Sequence, residues 1–202
     1  RLANRASSKS VMTGAGTSAT LGYPDYGLIT MSEMVGNASR IANSIDIPLI
    51  SDSDTGFGNE LNVFRTVQEF ERAGVAAIHI EDQVFPKKCG HLDNKELVSR
   101  EDFIAKIRAA SAARKSKDFC IIARTDSRAV VGLDEAIERA NAALANGADV
   151  AFVEAPQTMV EIESVPKRVN GPCLLNVVRG GKTPEIDLDV AERMGYAIAI
   201  VP

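Results

Sequence analysis

Short apolar runs recur along the chain, separated by longer amphipathic stretches. The runs lie near residues 9–13, 47–51, 75–81, 119–124, 149–153, 172–177 and 196–201. Ile78-His79-Ile80, Cys120-Ile121-Ile122-Ala123 and Ala197-Ile198-Ala199-Ile200-Val201 are too short for helices and rich in β-branched residues. That pattern marks parallel strands buried on both faces. The stretches between them carry helical spacing. Val63, Val67 and Phe70 share one face of a helix predicted to begin near Glu60 and end at Gly74. Phe103, Ile104 and Ile107 mark a second over 101–115. Ile137, Ala140 and Leu144 mark a third from Leu133 to Asn146, stopped by Gly147. Strand and helix alternate about every 25–40 residues, so the class is α/β. No linker or low-complexity tract interrupts the alternation, and residues 1–202 are expected to form one domain.

Two architectures share this alternation, a doubly wound sheet and a (β/α)8 TIM barrel. The polar residues separate them. Nearly every predicted strand ends in a polar or glycine-rich cluster: Thr13-Gly14-Ala15-Gly16, Asp52-Ser53-Asp54-Thr55-Gly56, Glu81-Asp82-Gln83, Arg124-Thr125-Asp126, Glu154 and Asn176. In a doubly wound sheet only strand ends near the switch point meet a ligand. In a barrel all the C-terminal strand ends converge on one mouth. Polar groups on six successive strands therefore favour the barrel. Seven strands are visible, the chain opens in a helix-like stretch from Arg1 to Ala6, and it stops at Val201-Pro202 directly after a strand. The first strand and the closing helix are thus expected outside this chain.

Composition removes several function classes. A formal net charge of −4 offers nucleic acid no electrostatic footprint. No apolar run approaches the roughly 20 residues needed to cross a bilayer, and no signal peptide is visible, so neither a membrane nor an export route is expected. Cys89, Cys120 and Cys173 are odd in number and far apart. They suit a reducing, cytoplasmic setting, not a disulfide framework or a structural zinc site.

Candidate chemistry gathers at the strand ends. Asp52 and Asp54 are two apart, so on an extended strand end they point to the same side. Asp25 lies in a Tyr-Pro-Asp-Tyr-Gly loop, and Glu81 ends the next strand. Four carboxylates at one mouth repel each other unless a cation neutralises them, and hard oxygen ligands suit Mg²⁺ or Mn²⁺. The alternative is that Asp-x-Asp caps a helix and Glu81 pairs with a lysine. Arg124 follows an apolar run directly and is placed to hold a carboxylate or an oxyanion, or to pair with Glu81 or Glu154. Thr13-Gly14-Ala15-Gly16 is a turn able to offer N–H groups to an anion. Residues 87–91 read Lys-Lys-Cys-Gly-His. Cationic neighbours favour the thiolate of Cys89, which suits it to proton transfer, and Pro86 and Gly90 place it on a loop. His79, inside an apolar run, reads as a hydrogen-bonded core histidine; His91 is the better functional candidate.

Together these motifs, with Pro24-Asp25, the Asp52–Gly58 segment and His79-Ile80-Glu81-Asp82-Gln83, resemble the isocitrate lyase/phosphoenolpyruvate mutase superfamily over essentially the whole chain. The resemblance implies a Mg²⁺-dependent barrel acting on small α-keto or α-hydroxy carboxylates, with Mn²⁺ as a substitute. It implies direct metal ligation by Asp52, and ligation mostly through water by Asp25, Asp54 and Glu81. Thr13, Gly14, Ala15 and Arg124 would hold the keto-acid fragment, and Glu154 and Asn176 join them as expected substrate-binding residues. The loop with Cys89 would close over the site, with Lys87, His91, Arg124 and Glu81 as its catalytic neighbours. In the lyases that cysteine protonates the carbanion-like fragment left by carbon–carbon cleavage, whereas phosphonate mutases lack it. Cys89 therefore favours a carbon–carbon lyase. Relatives are commonly homotetramers that exchange the last barrel helix. Isocitrate lyases proper carry long insertions absent here. Val11 stands where methylisocitrate lyases usually have tyrosine, and Asn176-Val177-Val178-Arg179 replaces their Asn-x-Thr-Glu. The expected substrate is 2-methylisocitrate-like or 2,3-dimethylmalate-like. Oxaloacetate cleavage and phosphonomutase activity are the alternatives.

Overall fold

A computed structural model describes residues 8–90, 92 and 94–202; the helix-like stretch expected from Arg1 to Ala6 lies outside the described residues, as does His91. Seven strands, β1 (Ser10–Met12), β2 (Leu49–Asp52), β3 (Ala77–Glu81), β4 (Cys120–Thr125), β5 (Val150–Val153), β6 (Cys173–Asn176) and β7 (Ile198–Ile200), pair in sequence order, every pair parallel. Each coincides with one of the apolar runs, β2 and β4 reaching one residue past theirs, to Asp52 and Thr125. Parallel neighbours cannot be joined by a hairpin, so each connection must cross back over the sheet, usually through a helix. The connections carry α1 (Gly14–Thr20), α2 (Met31–Ala42), α3 (Glu60–Arg72), α4 (Arg100–Ala113), α5 (Ser127–Val130), α6 (Leu133–Ala145), α7 (Met159–Arg168) and α8 (Leu188–Met194). This is a nearly closed (β/α)8 barrel of seven described strands, with β1 and β7 at its edges.

Side chains alternate across each strand and build two apolar layers. Ile50, Ala77, Cys120, Ile122, Val150, Phe152, Leu174 and Ile198 fill the barrel interior. Ile78, Ile80 and Ile121 face outward and pack with Val63, Val67 and Phe70 of α3 and with Met34 and Ala38 of α2. Phe70 is fully buried there, and burying such a ring is worth about 2–3 kcal/mol. Ala151, Val153, Cys173 and Leu175 meet α6, α7 and α8 on the other side.

Local signals set the helix ends. Asn59 caps α3 by accepting from the Leu61 and Asn62 N–H groups, and Thr30 and Glu33 form a reciprocal capping box on α2. Such a cap contributes about 1 kcal/mol. Gly74 and Gly147 follow the ends of α3 and α6 with φ of +86° and +108°, a left-handed turn that glycine adopts without strain.

Candidate active site

The carboxylates converge at the C-terminal strand ends. Asp52 ends β2, and Asn59 caps the following helix, so the alternative of Asp-x-Asp as a cap is overturned. The two aspartates do share a side, but not through strand alternation. The strand stops at Asp52, and Asp54 turns into the left-handed region with φ of 47°; its N–H donates to Asp52 Oδ1 at 2.9 Å. A Cβ added to Gly14 would meet Asp52 Oδ2 at 2.9 Å and Asp54 Oδ1 at 3.1 Å, which measures how tightly both oxygens approach this backbone.

Lys87 enters this cluster. Its Nζ donates to Asp25 Oδ1 at 2.7 Å and lies 3.3 Å from Asp54 Oδ1, with its side chain only 3% exposed. Burial pulls the ammonium's pKa down, but Asp52, Asp54, Glu81 and Asp25 outweigh it and raise it. Burial pushes Asp52 up, yet His79, Lys87 and Arg124 hold it well below the usual carboxylate range. Asp54 is pushed up to about 7, by burial first and then by the Asp52 charge. Glu81 is raised well above its ordinary value, chiefly by burial.

Asp54 and Glu81 are buried, and neither oxygen of either accepts a hydrogen bond. Lys87 and Arg124 each contact one of these oxygens as an ion pair at 3.3 Å, and carboxylate oxygens without hydrogen-bond donors are costly in an apolar interior. They fit a hydrated cation, whose waters would donate to them while Asp52 ligates it. Among the described residues no three His, Cys, Asp or Glu side chains gather closely enough to ligate one ion together. The donor set therefore suits one direct ligand with water-mediated partners.

Arg124, on β4, is the second charged centre. Its Nε donates to Asp126 Oδ2 at 2.9 Å and its Nη2 to Asp126 Oδ1 at 3.2 Å. It lies 3.3 Å from Glu81 Oε2 and 3.6 Å from Glu154 Oε1, so both pairings open in the sequence are present. Its guanidinium also stands 5.3 Å from the centroid of Phe152. Asn176 Nδ2 reaches both Glu154 oxygens at 3.4 Å.

The turn Thr13-Gly14-Ala15-Gly16 is the first turn of α1. Thr13 caps it, accepting from Gly16 N–H at 2.9 Å, and Gly14 N–H donates to Asp52 Oδ2 at 3.0 Å. Two of the N–H groups expected to serve an anion are thus already engaged.

Cys89 is half-buried on the loop between β3 and α4, and its thiol is free. The flanking lysines direct their hydrogen bonds elsewhere: Lys87 to the carboxylates, Lys88 Nζ to the Asn94 carbonyl at 2.7 Å. The loop's backbone reaches the strand ends at Gly90. A Cβ there would fall on Glu154 Oε1 and Arg124 Nη2. His79 departs from its expectation. It is buried facing Phe152 edge-on, 5.8 Å between ring centroids, and its Nδ1 lies 3.6 Å from Asp52 Oδ1 without a hydrogen bond. Strand alternation places it on the same side as Glu81, a signal present in the sequence. Lys95 also borders the site, a residue that no motif marks; besides the nearby Gly90 carbonyl it reaches Asp126, 31 residues on, and Asp126 and Asp82, members of the polar strand-end clusters, are joined across 44 residues.

A family model described as phosphoenolpyruvate phosphomutase matches residues 1–201. The chain is 50% identical over 192 residues to a 2,3-dimethylmalate lyase of Eubacterium barkeri, covering 95% of this chain and 66% of that protein. It is 49% identical over 191 residues to a 2-methylisocitrate lyase of Aeropyrum pernix, covering 95% and 61%. The chain thus spans somewhat under two thirds of these relatives. A crystal structure of 2,3-dimethylmalate lyase superposes with a TM-score of 0.93 at 44% identity, covering 96% of this chain and 66% of that one. A phosphonopyruvate hydrolase complexed with oxalate and Mg²⁺ superposes with a TM-score of 0.80 at 36% identity, covering 95% and 67%.

Proposed function

The chain belongs to the phosphoenolpyruvate phosphomutase family, and on that premise we propose that it is a Mg²⁺-dependent carbon–carbon lyase. It cleaves a small 2-hydroxy di- or tricarboxylate, 2,3-dimethylmalate-like or 2-methylisocitrate-like, to an α-keto acid and a carboxylic acid. The observation that carries this reading is the seating of Gly90, next to Cys89, against Arg124 and Glu154. A thiol held there can protonate a fragment released at the barrel mouth. Relatives named for both reactions support the substrate class.

Asp52 would ligate Mg²⁺ directly, with Asp25, Asp54 and Glu81 acting through its waters; Mn²⁺ would substitute. When bound, the ion supplies Lewis-acid stabilisation of the oxygen that becomes the keto group. Thr13, Gly14, Ala15 and Arg124 hold the keto-acid half, and Glu154 with Asn176 orients the other. As the carbon–carbon bond breaks, the 2-hydroxyl gives up its proton to water at the barrel mouth, its oxygen becomes the keto oxygen, and the bond's electron pair stays on the carboxylic-acid fragment. The Cys89 S–H proton is transferred to that carbon and leaves a thiolate, to which solvent later returns a proton. Lys87 keeps the carboxylate cluster neutralised, and His91, outside the described residues, accompanies Cys89. Residues 1–202 act as one barrel domain within a homotetramer of helix-exchanging subunits in the cytoplasm. No described helix is long and apolar enough to cross a membrane.

The test is a Mg²⁺-dependent screen of 2-methylisocitrate, isocitrate, 2,3-dimethylmalate, oxaloacetate and phosphonopyruvate, read by keto-acid release. Turnover of a 2-hydroxy acid that nearly vanishes in Cys89→Ser supports the lyase. Turnover of phosphonopyruvate alone, indifferent to Cys89→Ser, replaces it with a phosphonate enzyme. No turnover of any substrate refutes it.

A further inference from the structure

Lys95 is a buried cation on the Cys89 loop, with its side chain only 2% exposed. Its ammonium donates to two acceptors on different elements: the Gly90 carbonyl, and Asp126 Oδ1 at 2.7 Å. Asp126 is the carboxylate that receives both hydrogen bonds of the Arg124 fork. The Asp126 N–H donates to Asp82 Oδ1 at 2.8 Å. Asp82 Oδ2 in turn accepts from Thr125 Oγ1 at 2.6 Å and from Arg139 Nη1 at 3.2 Å. Arg139 Nη1 also donates to the Val98 carbonyl, at the far root of the same loop, at 2.9 Å. One buried polar network thus fastens the loop at its middle and at its root, and it ends on Arg124.

Removing an ammonium from water is costly, and an apolar side chain of similar volume would fill this space more cheaply. What such a cation can add is the geometry it enforces. The geometry here is specific, because the same Gly90 that lies against Arg124 and Glu154 offers its carbonyl to Lys95. We propose that Lys95 is a positioning residue that couples the seating of the Cys89 loop to the orientation of Arg124 through Asp126. Closing the loop and fixing the guanidinium are then one event. The role of Cys89 in this scheme rests on the lyase reading above; the loop contact itself does not.

The experiment reads loop position without substrate. Cys120 and Cys173 are buried and their thiols are pushed up to about 12 by burial, so iodoacetamide labelling of the native chain reports Cys89. Lys95→Met is expected to speed Cys89 labelling roughly 10- to 100-fold, the loss of a charge-assisted hydrogen bond. Lys95→Arg, which keeps the charge, restores most of the protection. With an active substrate, kcat falls by a similar factor while KM changes by less than about threefold. Labelling of a folded Lys95→Met at the wild-type rate overturns the proposal. Where Lys95→Met does not fold, Lys95→Gln is read the same way, and failure of both to fold makes Lys95 a structural ion pair and also overturns it. Faster labelling in a chain that cleaves no substrate keeps this proposal and removes the lyase reading.

Discussion

Gly90→Ala adds one methyl group at the point where the loop touches the strand ends. The φ of Gly90 lies outside the left-handed region, so alanine fits the backbone there. The obstacle is steric, since the new Cβ would fall on the Glu154 carboxylate and the Arg124 guanidinium. Arg124 is fixed by Asp126 and Glu154 by Asn176, so neither side chain is free to retreat. Overpacking by a methyl group costs about 1–3 kcal/mol. The barrel need not absorb that cost, because the loop can lift instead. The penalty then appears as lost closed population, a fall in kcat/KM of about 5- to 160-fold. The melting temperature should move by less than about 2 °C, since a global loss of even 1 kcal/mol shifts a chain of this size by about 2–4 °C. The assay is keto-acid release with the best substrate of the screen, beside thermal denaturation of the same preparation. A variant with kcat/KM within twofold of wild type refutes the reasoning. So does one whose melting temperature falls by 5 °C or more, because the methyl group would then be disturbing the fold and not the closure.

Two further outcomes test the charged groups. Mg²⁺ at about 100-fold over its dissociation constant should stabilise the chain by about 2.7 kcal/mol, raising the melting temperature by several degrees; EDTA should reverse the shift and Asp52→Asn should abolish it, whereas no shift in wild type removes Asp52 as the ligand. Asp82 is raised to about 6, by burial first and then by the Asp126 charge, from an ordinary 3.8. Its stability contribution is therefore full below about pH 4 and lost as pH rises through about 6, a change of about 3 kcal/mol. Urea denaturation across pH 4–7 should show a slope in wild type, to which Asp54 and Glu81 add in the same direction, and a shallower one in Asp82→Asn; identical slopes would refute the assignment.

The strands were legible because burial on both faces forces β-branched runs. Three helices were legible from apolar spacing, and for two of them a terminal glycine agrees. The Thr30 and Glu33 capping box on α2 was equally readable but went unused. The α1 helix escaped notice because Gly14-Ala15-Gly16 is a poor helical start, favoured here only by the Thr13 cap. At the site, Asp52, Glu81 and Arg124 were legible because each ends an apolar run, and a barrel gathers all such ends; Asp25, on a loop, and Asp54, in a turn, carry no such local mark. Lys95 was not, because nothing local distinguishes a lysine whose partner lies 31 residues away.

The lysines beside Cys89 show why sequence adjacency misleads on a loop. Residues neighbouring in a loop share no face, so Lys87 and Lys88 leave Cys89 for Asp25 and for the Asn94 carbonyl. The electrostatic environment of a loop thiol is then set by the surface on which the loop lands. For Cys89 that surface begins under Gly90, with Arg124 and Glu154. Those two carry opposite charge 3.6 Å apart, so the surface under the loop is an ion pair and not a lone cation. Proton delivery by Cys89 should therefore depend less on flanking positive charge than on closure, and neutralising Lys88 should leave kcat within about threefold while releasing the loop at Lys95 should not.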